Sequence, residues 1–77
     1  VDNGGVNQSD MIQITVNGDS VTLAAGAKVT DLIAALQLAE ARLAIELNLD
    51  ILPRARWADT TLQAADKLEI VHFVGGG

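Results

Sequence analysis

The 77-residue sequence contains no cysteine. That excludes a disulfide staple, a thiolate nucleophile and a cysteine metal site, so any sulfur chemistry must use imported sulfur. Cations are scarce as well: five Lys and Arg stand against ten Asp and Glu, for a net charge of −5 and a pI near 4.4. Nucleic acid and anionic membrane both call for a basic patch, so this balance argues against either and favours a basic-surfaced protein partner. No apolar run approaches the roughly 20 residues of a membrane span, and no charged-then-apolar leader marks secretion. The expected compartment is the cytoplasm. Catalytic groups are missing too. His72, the single histidine, has no neighbouring serine, cysteine or metal-type cluster and reads as a surface or partner-contact residue. The acidic residues are scattered, with no paired-carboxylate geometry that a sequence establishes, and Asp50 and Asp59 read as turn residues. The chain is expected to be no enzyme.

What is present is enough for one small domain, in the range where folding buries only about 60 % of the unfolded surface. Residues 1–10, VDNGGVNQSD, are polar and without period, and read as a disordered extension or expression scar. Hydrophobic patterning begins abruptly at Met11-Ile12. Ile12, Ile14 and Val16 alternate with Gln13 and Thr15, Asn17-Gly18 marks a tight turn, and Val21 and Leu23 alternate on the way back, which predicts a β-hairpin. A helix is expected over roughly Asp31 to Leu38, with Thr30 as its cap, Val29 as a hydrophobic staple, and Leu32, Ile33 and Leu36 on one face. Leu43, Ile45 and Leu47 predict a third strand, Asn48-Leu49-Asp50 a turn, and Ile51-Leu52 a short fourth strand stopped by Pro53. Trp57 is expected to fill the end of a small core, with Arg54 and Arg56 solvated or paired to the acidic surface; the functional alternative is a partner contact.

The last strand, Lys67 to Val74, places Leu68 and Ile70 on one face and Val71 and Phe73 on the other, with Glu69 breaking that second face near its start. It passes directly into Gly75-Gly76-Gly77. Three glycines span at most about 10 Å and let backbone approach closely, so the tail suits a narrow cleft in another protein. Nothing in it resembles a phosphate loop, which needs a strand before and a helix after. The working group is expected to be the Gly77 carboxylate, carried on Gly75 and Gly76, with Val71, Phe73 and Val74 as the partner-binding patch. A competing reading puts Phe73 in the core.

Hairpin, helix and three strand segments predict an α+β fold: a mixed sheet of four to five strands with one helix packed across one face. Strand order does not follow from sequence. If the final strand lies beside the first and parallel to it, the tail leaves from the middle of the sheet, as in the ubiquitin-like β-grasp. The domain is expected over 11–74, with 75–77 a flexible tail.

Taken together, Asn17-Gly18, the helix, Asn48, Leu52-Pro53-Arg54 followed by Trp57, Asp66 and the terminal Val74-Gly75-Gly76-Gly77 make the chain from Met11 to Gly77 resemble the ThiS family of sulfur carriers. Leu49 and Ala65 depart from the pattern, standing where glycine is usual, and both bear on turn geometry. The resemblance implies a role in thiamin biosynthesis. A ThiF-like adenylating enzyme would consume ATP to convert the Gly77 carboxylate to an acyl-adenylate, and a persulfide sulfur donor would displace AMP. The thiocarboxylate so formed would supply thiazole synthase, with no cofactor bound to the carrier itself. Three alternatives stay open: a molybdopterin-synthase small-subunit type of carrier, a ubiquitin-like modifier joined to lysines through Gly77, and a plain interaction module whose tail has no role. The Leu-Pro-Arg-x-x-Trp element and short loops favour the thiamin reading over the first.

Overall fold

In the computed structural model, which describes residues 10–73, the alternating residues form β1 (Met11–Val16), and Asn17-Gly18 turns the chain into β2 (Asp19–Ala24). Both turn residues have positive φ, 52° and 87°, as a type I′ hairpin requires. The Asp10 carbonyl accepts from the Ala25 N–H at 2.7 Å, carrying the ladder past both strands. Residues 1–9, Val74 and the Gly75 to Gly77 tail lie outside the described residues, and so do the expectations placed on them.

Helix α1 (Val29–Ala35) begins two residues before the expected Asp31. The cap is Lys28 rather than Thr30: its N–H donates to Asp31 Oδ2 at 2.8 Å, and its carbonyl accepts the Asp31 N–H at 2.9 Å. The carboxylate thus satisfies an orphan donor from inside the first turn, and Val29 becomes the first buried helical residue instead of an external staple. The helix also stops short of Leu38. Gln37 takes φ 59°, its N–H reaches Ala34 O at 3.0 Å, and the Leu38 N–H reaches Ile33 O at 3.1 Å, the paired bonds of a Schellman motif. So short a helix is stable only through packing. Val29, Leu32 and Ile33 are buried, and Leu36 is partly so, as their spacing predicts.

Strands β3 (Leu43–Leu47) and β4 (Asp50–Leu52) form a second hairpin around Asn48 and Leu49, whose φ values of 52° and 77° repeat the first turn. Asp50, expected in the turn, opens β4 opposite Leu47. Leu49 and Ala65 (φ 71°) both hold left-handed conformations in which glycine would be unstrained, so the sequence departures leave the turns intact. Strand β5 (Lys67–His72) ends before the expected Val74, although the Phe73 N–H still donates to Arg42 O at 2.9 Å.

The strand order is β2-β1-β5-β3-β4, with β1 parallel to β5 and the other neighbours antiparallel. This is the expected β-grasp. Ile14, Val16, Leu43, Ile45, Leu68 and Ile70 face the helix, joined by Trp57 and Leu62 from the irregular segment.

Two outcomes are expected in chemical denaturation. Leu32→Ala should lose about 2–5 kcal/mol, and Leu36→Ala, only partly buried, should lose less. Gln37→Gly and Leu49→Gly should each gain about 0.5–1 kcal/mol by relieving left-handed strain; a loss in both would mean that their side chains hold the turns.

Candidate functional site

The second half of β5 projects past the end of β1. Their pairing covers only Thr15 with Lys67 and Val16 with Leu68, whereas β3 follows β5 from Leu68 to His72. The missing ladder is supplied by a side chain. Asn17 Oδ1 accepts the Ile70 N–H at 2.7 Å, Asn17 Nδ2 donates to Ile70 O at 3.0 Å, and the Asn17 N–H donates to Leu68 O at 2.9 Å. A primary amide presents a donor and an acceptor like a peptide group, so Asn17 acts as one further residue of β1. Asn48 does the same from the other hairpin. Its N–H donates to Lys67 O at 2.8 Å, its Oδ1 accepts the Lys67 N–H at 2.9 Å, and its Nδ2 donates to Asp66 Oδ1 at 2.9 Å. Sequence reasoning recognised both asparagines as turn residues and missed that they clamp β5.

The exit of the tail is fixed by a second device. The Phe73 N–H bonds to Arg42 O, at the end of a 3₁₀ turn formed by Glu40–Arg42. The Arg54 guanidinium donates to the Glu40 carbonyl and, at 3.4 Å, to that of Ala41. It also lies over the Trp57 ring, 4.6 Å from the centroid. Trp57 is 2 % exposed, as expected of a core residue, and its Nε1 donates to Leu52 O at 2.9 Å. Arg54 is exposed, as expected, but its guanidinium is engaged by backbone carbonyls and among the described residues no acid partners it. Leu52-Pro53-Arg54-x-x-Trp57 is one brace, running from the core to the carbonyls that flank the start of the tail.

On the sheet face away from the helix, Glu69, Val71 and Phe73 stand in line along β5. Val71 is 55 % and Phe73 48 % exposed, so Phe73 is not a core residue. Across the sheet, Ala44 pairs with Val71, Glu46 with Glu69, and Ile51 with Glu46. Ile51 and Leu49 are 76 % and 82 % exposed. The contribution of Ile51 to this face was missed from the sequence. The signal lay in the Asn48-Leu49 turn, which sets Ile51 opposite Glu46 once Leu43, Ile45 and Leu47 are known to point inward. His72 is exposed, as expected, and lines a groove of about 290 Å³ with Asp19, Leu36 and Leu38.

Among the described residues no group of three or more His, Cys, Asp or Glu could hold a metal, and no helix is long and apolar enough to cross a membrane. What the arrangement provides is an open apolar face beside the point from which the glycine tail departs. Val74, Gly75, Gly76 and Gly77, the rest of the expected site, lie beyond the described residues.

The family model described as the ThiS family matches residues 9–77. A thiazole synthase of Paramagnetospirillum magneticum is 35% identical over 66 residues, which cover 86% of this chain and 20% of that protein. The chain therefore spans about a fifth of that relative's length. The sulfur carrier protein ThiS of Escherichia coli is 32% identical over 66 residues, covering 86% of this chain and 100% of that protein. The crystal structure of the thiamine biosynthesis protein ThiS from Geobacter metallireducens superposes with a TM-score of 0.73 at 38% identity, over 86% of this chain and 100% of that one.

The clamp on β5 has a measurable consequence. Asn17→Ala strips the Ile70 N–H and C=O of their partners and should cost about 1–3 kcal/mol. Amide exchange at Ile70 should accelerate more than at Leu32; equal acceleration at both sites would show global destabilisation and no local clamp.

Proposed function

The chain belongs to the ThiS family of thiamin-biosynthesis sulfur carriers, and from that premise we propose that the Gly77 carboxylate carries the sulfur. The observation that bears most weight is the family match running through Gly75-Gly76-Gly77. A C-terminal carboxylate, with an ordinary pKa of about 3.3–3.7, is ionised at neutral pH and is a poor electrophile. Attack of its oxygen on the α-phosphorus of ATP, in the site of a ThiF-like adenylating enzyme, releases pyrophosphate and leaves an acyl-adenylate. A persulfide sulfur then displaces AMP from the acyl carbon, and a second thiol cleaves the resulting S–S bond to free the thiocarboxylate. ATP is consumed by the partner. None of these steps needs a cysteine on the carrier, in keeping with the composition.

The thiocarboxylate delivers its sulfur to thiazole synthase. Support comes from the relatives of Paramagnetospirillum magneticum and Magnetococcus marinus, in which a stretch similar to this chain makes up 20% of a protein named thiazole synthase. Joining two partners in one chain raises their effective concentration, an arrangement that suits a carrier and the enzyme it supplies.

The tail alone binds weakly. Ordering the backbone of Gly75 to Gly77 costs about 3–6 kcal/mol, with no side chain to offset it. Affinity must come from the folded body, and the exposed Val71 and Phe73 beside the tail are placed to provide it.

Intact-mass measurement after incubation with ATP, the adenylating enzyme and a persulfide donor tests this reading. The expected product has one oxygen replaced by sulfur and passes that sulfur to thiazole synthase. A covalent adduct with another protein would indicate a modifier, and transfer to a molybdopterin precursor the other carrier class. A variant extended by one residue beyond Gly77 should keep its fold and gain no sulfur; sulfur gain without proteolysis would refute the mechanism. Phe73→Asp should leave the melting profile intact and weaken binding to the adenylating enzyme far more than Gln13→Ala or Thr22→Ala. Unchanged affinity would remove Phe73 from the docking face.

A further inference from the structure

Glu46 and Glu69 lie directly opposite one another on β3 and β5. The bond from the Phe73 N–H to Arg42 O sets the phase of this ladder, so that residues 42 and 73, 44 and 71, and 46 and 69 form its hydrogen-bonded pairs. Side chains in such a pair leave the same face with Cβ atoms roughly 5.5 Å apart, and like charges so placed repel. The fold has no need of this arrangement, because its core lies on the other side of the sheet. Nor is the surrounding surface a solvated polar face. Ile51 flanks Glu46 on one side, and Ala44 and Val71 form the next pair along the two strands. These five side chains line a concavity of about 350 Å³. Lys67 stands two residues before Glu69 on the same face, at the end away from Val71 and Phe73.

We propose that this concavity receives an arginine side chain from the protein that takes up the tail, its stem against Ile51 and Val71 and its guanidinium between Glu46 and Glu69. A planar guanidinium offers five donors in a fixed fork and can serve two carboxylates at once, which a lysine ammonium does less well. Its methylenes cover apolar surface while the head meets the charges. Other occupants fit poorly. A second copy of this chain would bring the same glutamate pair and a further net charge of −5 to the interface, and an anionic membrane would be repelled. The apolar residues supply contact area, and the carboxylates select a basic partner and fix its register. The identity of the partner rests on the sulfur-carrier reading; the chemistry of the pocket does not.

The test compares the parent with Glu46→Gln, Glu69→Gln and the double variant. Calorimetric titrations with the adenylating enzyme and with thiazole synthase are run at low and high salt, alongside thermal melts. The double variant should bind at least one of these proteins about tenfold or more weakly at low salt. The gap should narrow at high salt, where exposed charges are screened. The double variant should also melt no lower than the parent, since its removed charges repelled. Parental affinity of the double variant for both proteins overturns the proposal. So does a parent dimer that the substitutions disperse, or a calcium-dependent rise in melting temperature seen only in the parent. ATP-dependent sulfur gain by the parent, measured on the same preparations, separates the two readings. Sulfur gain with unaltered binding by the double variant removes the arginine pocket alone, whereas weakened binding without sulfur gain in the parent keeps the pocket and removes the carrier mechanism.

Discussion

Every backbone donor and acceptor of a central strand must find a partner, and in this protein that requirement falls hardest on β5. The strand lies between β1 and β3 but overruns β1 after Leu68. Asn17 closes the gap by presenting its side-chain amide to Ile70 in place of a peptide, and Asn48 holds the beginning of the strand in the same way. Because β5 is held along both edges, Leu68 and Ile70 keep their places under the helix, and the opposite face keeps its register. The two type I′ turns therefore do more than reverse the chain. They position the residue whose side chain completes the middle of the sheet.

The two faces of that sheet have different tasks. The inner face supplies the packing that a two-turn helix needs to exist at all, with Leu32 and Leu68 wholly buried. The outer face contributes little to folding and carries Val71, Phe73 and Ile51 in the open, around a pair of opposed glutamates. Separating the two faces lets a very small domain keep its core while leaving apolar surface open on the other side, where the proposed docking would take place. In the proposed mechanism the reactive end must be bare enough to enter enzyme clefts, so recognition falls to a rigid neighbour.

The brace built from Leu52 to Trp57 links the two tasks. Trp57 anchors it in the core, Arg54 stacks on the ring, and the guanidinium holds the carbonyls of the turn whose last residue, Arg42, accepts the Phe73 N–H. A stretch that looks like a surface loop with two free cations is thus a support for the point where the tail begins. Gln37, Leu49 and Ala65 show the opposite economy: each holds a left-handed conformation without the glycine that would make it easy, and at Gln37 and Ala65 a backbone bond helps to maintain it.

Much of this was legible in the residues themselves. Period-two alternation in β1, β2, β3 and β5 assigned each inward face correctly, because one-sided burial leaves a pattern that depends only on the pleat. The Asn17-Gly18 turn was readable for the same local reason, as was the inward stripe of Leu32, Ile33 and Leu36. The helix ends were not. Lys28 is a poor cap by type, and the reciprocal bond from Asp31 shifts the start two residues, while a non-glycine Schellman residue hides the stop. The side-chain-free tail and the outward alternation of Val71 and Phe73 drew attention to that end of the chain before any geometry was available. The sequence by itself thus determined the faces and the turns, which rest on neighbours in the chain. Only the tertiary structure decided that β5 lies between β1 and β3, that Asn17 and Asn48 clamp it, that Arg54 braces a carbonyl turn, and that Glu46 meets Glu69. Each of those pairs residues far apart in sequence, and such contacts are set by how the strands align, which no local pattern encodes.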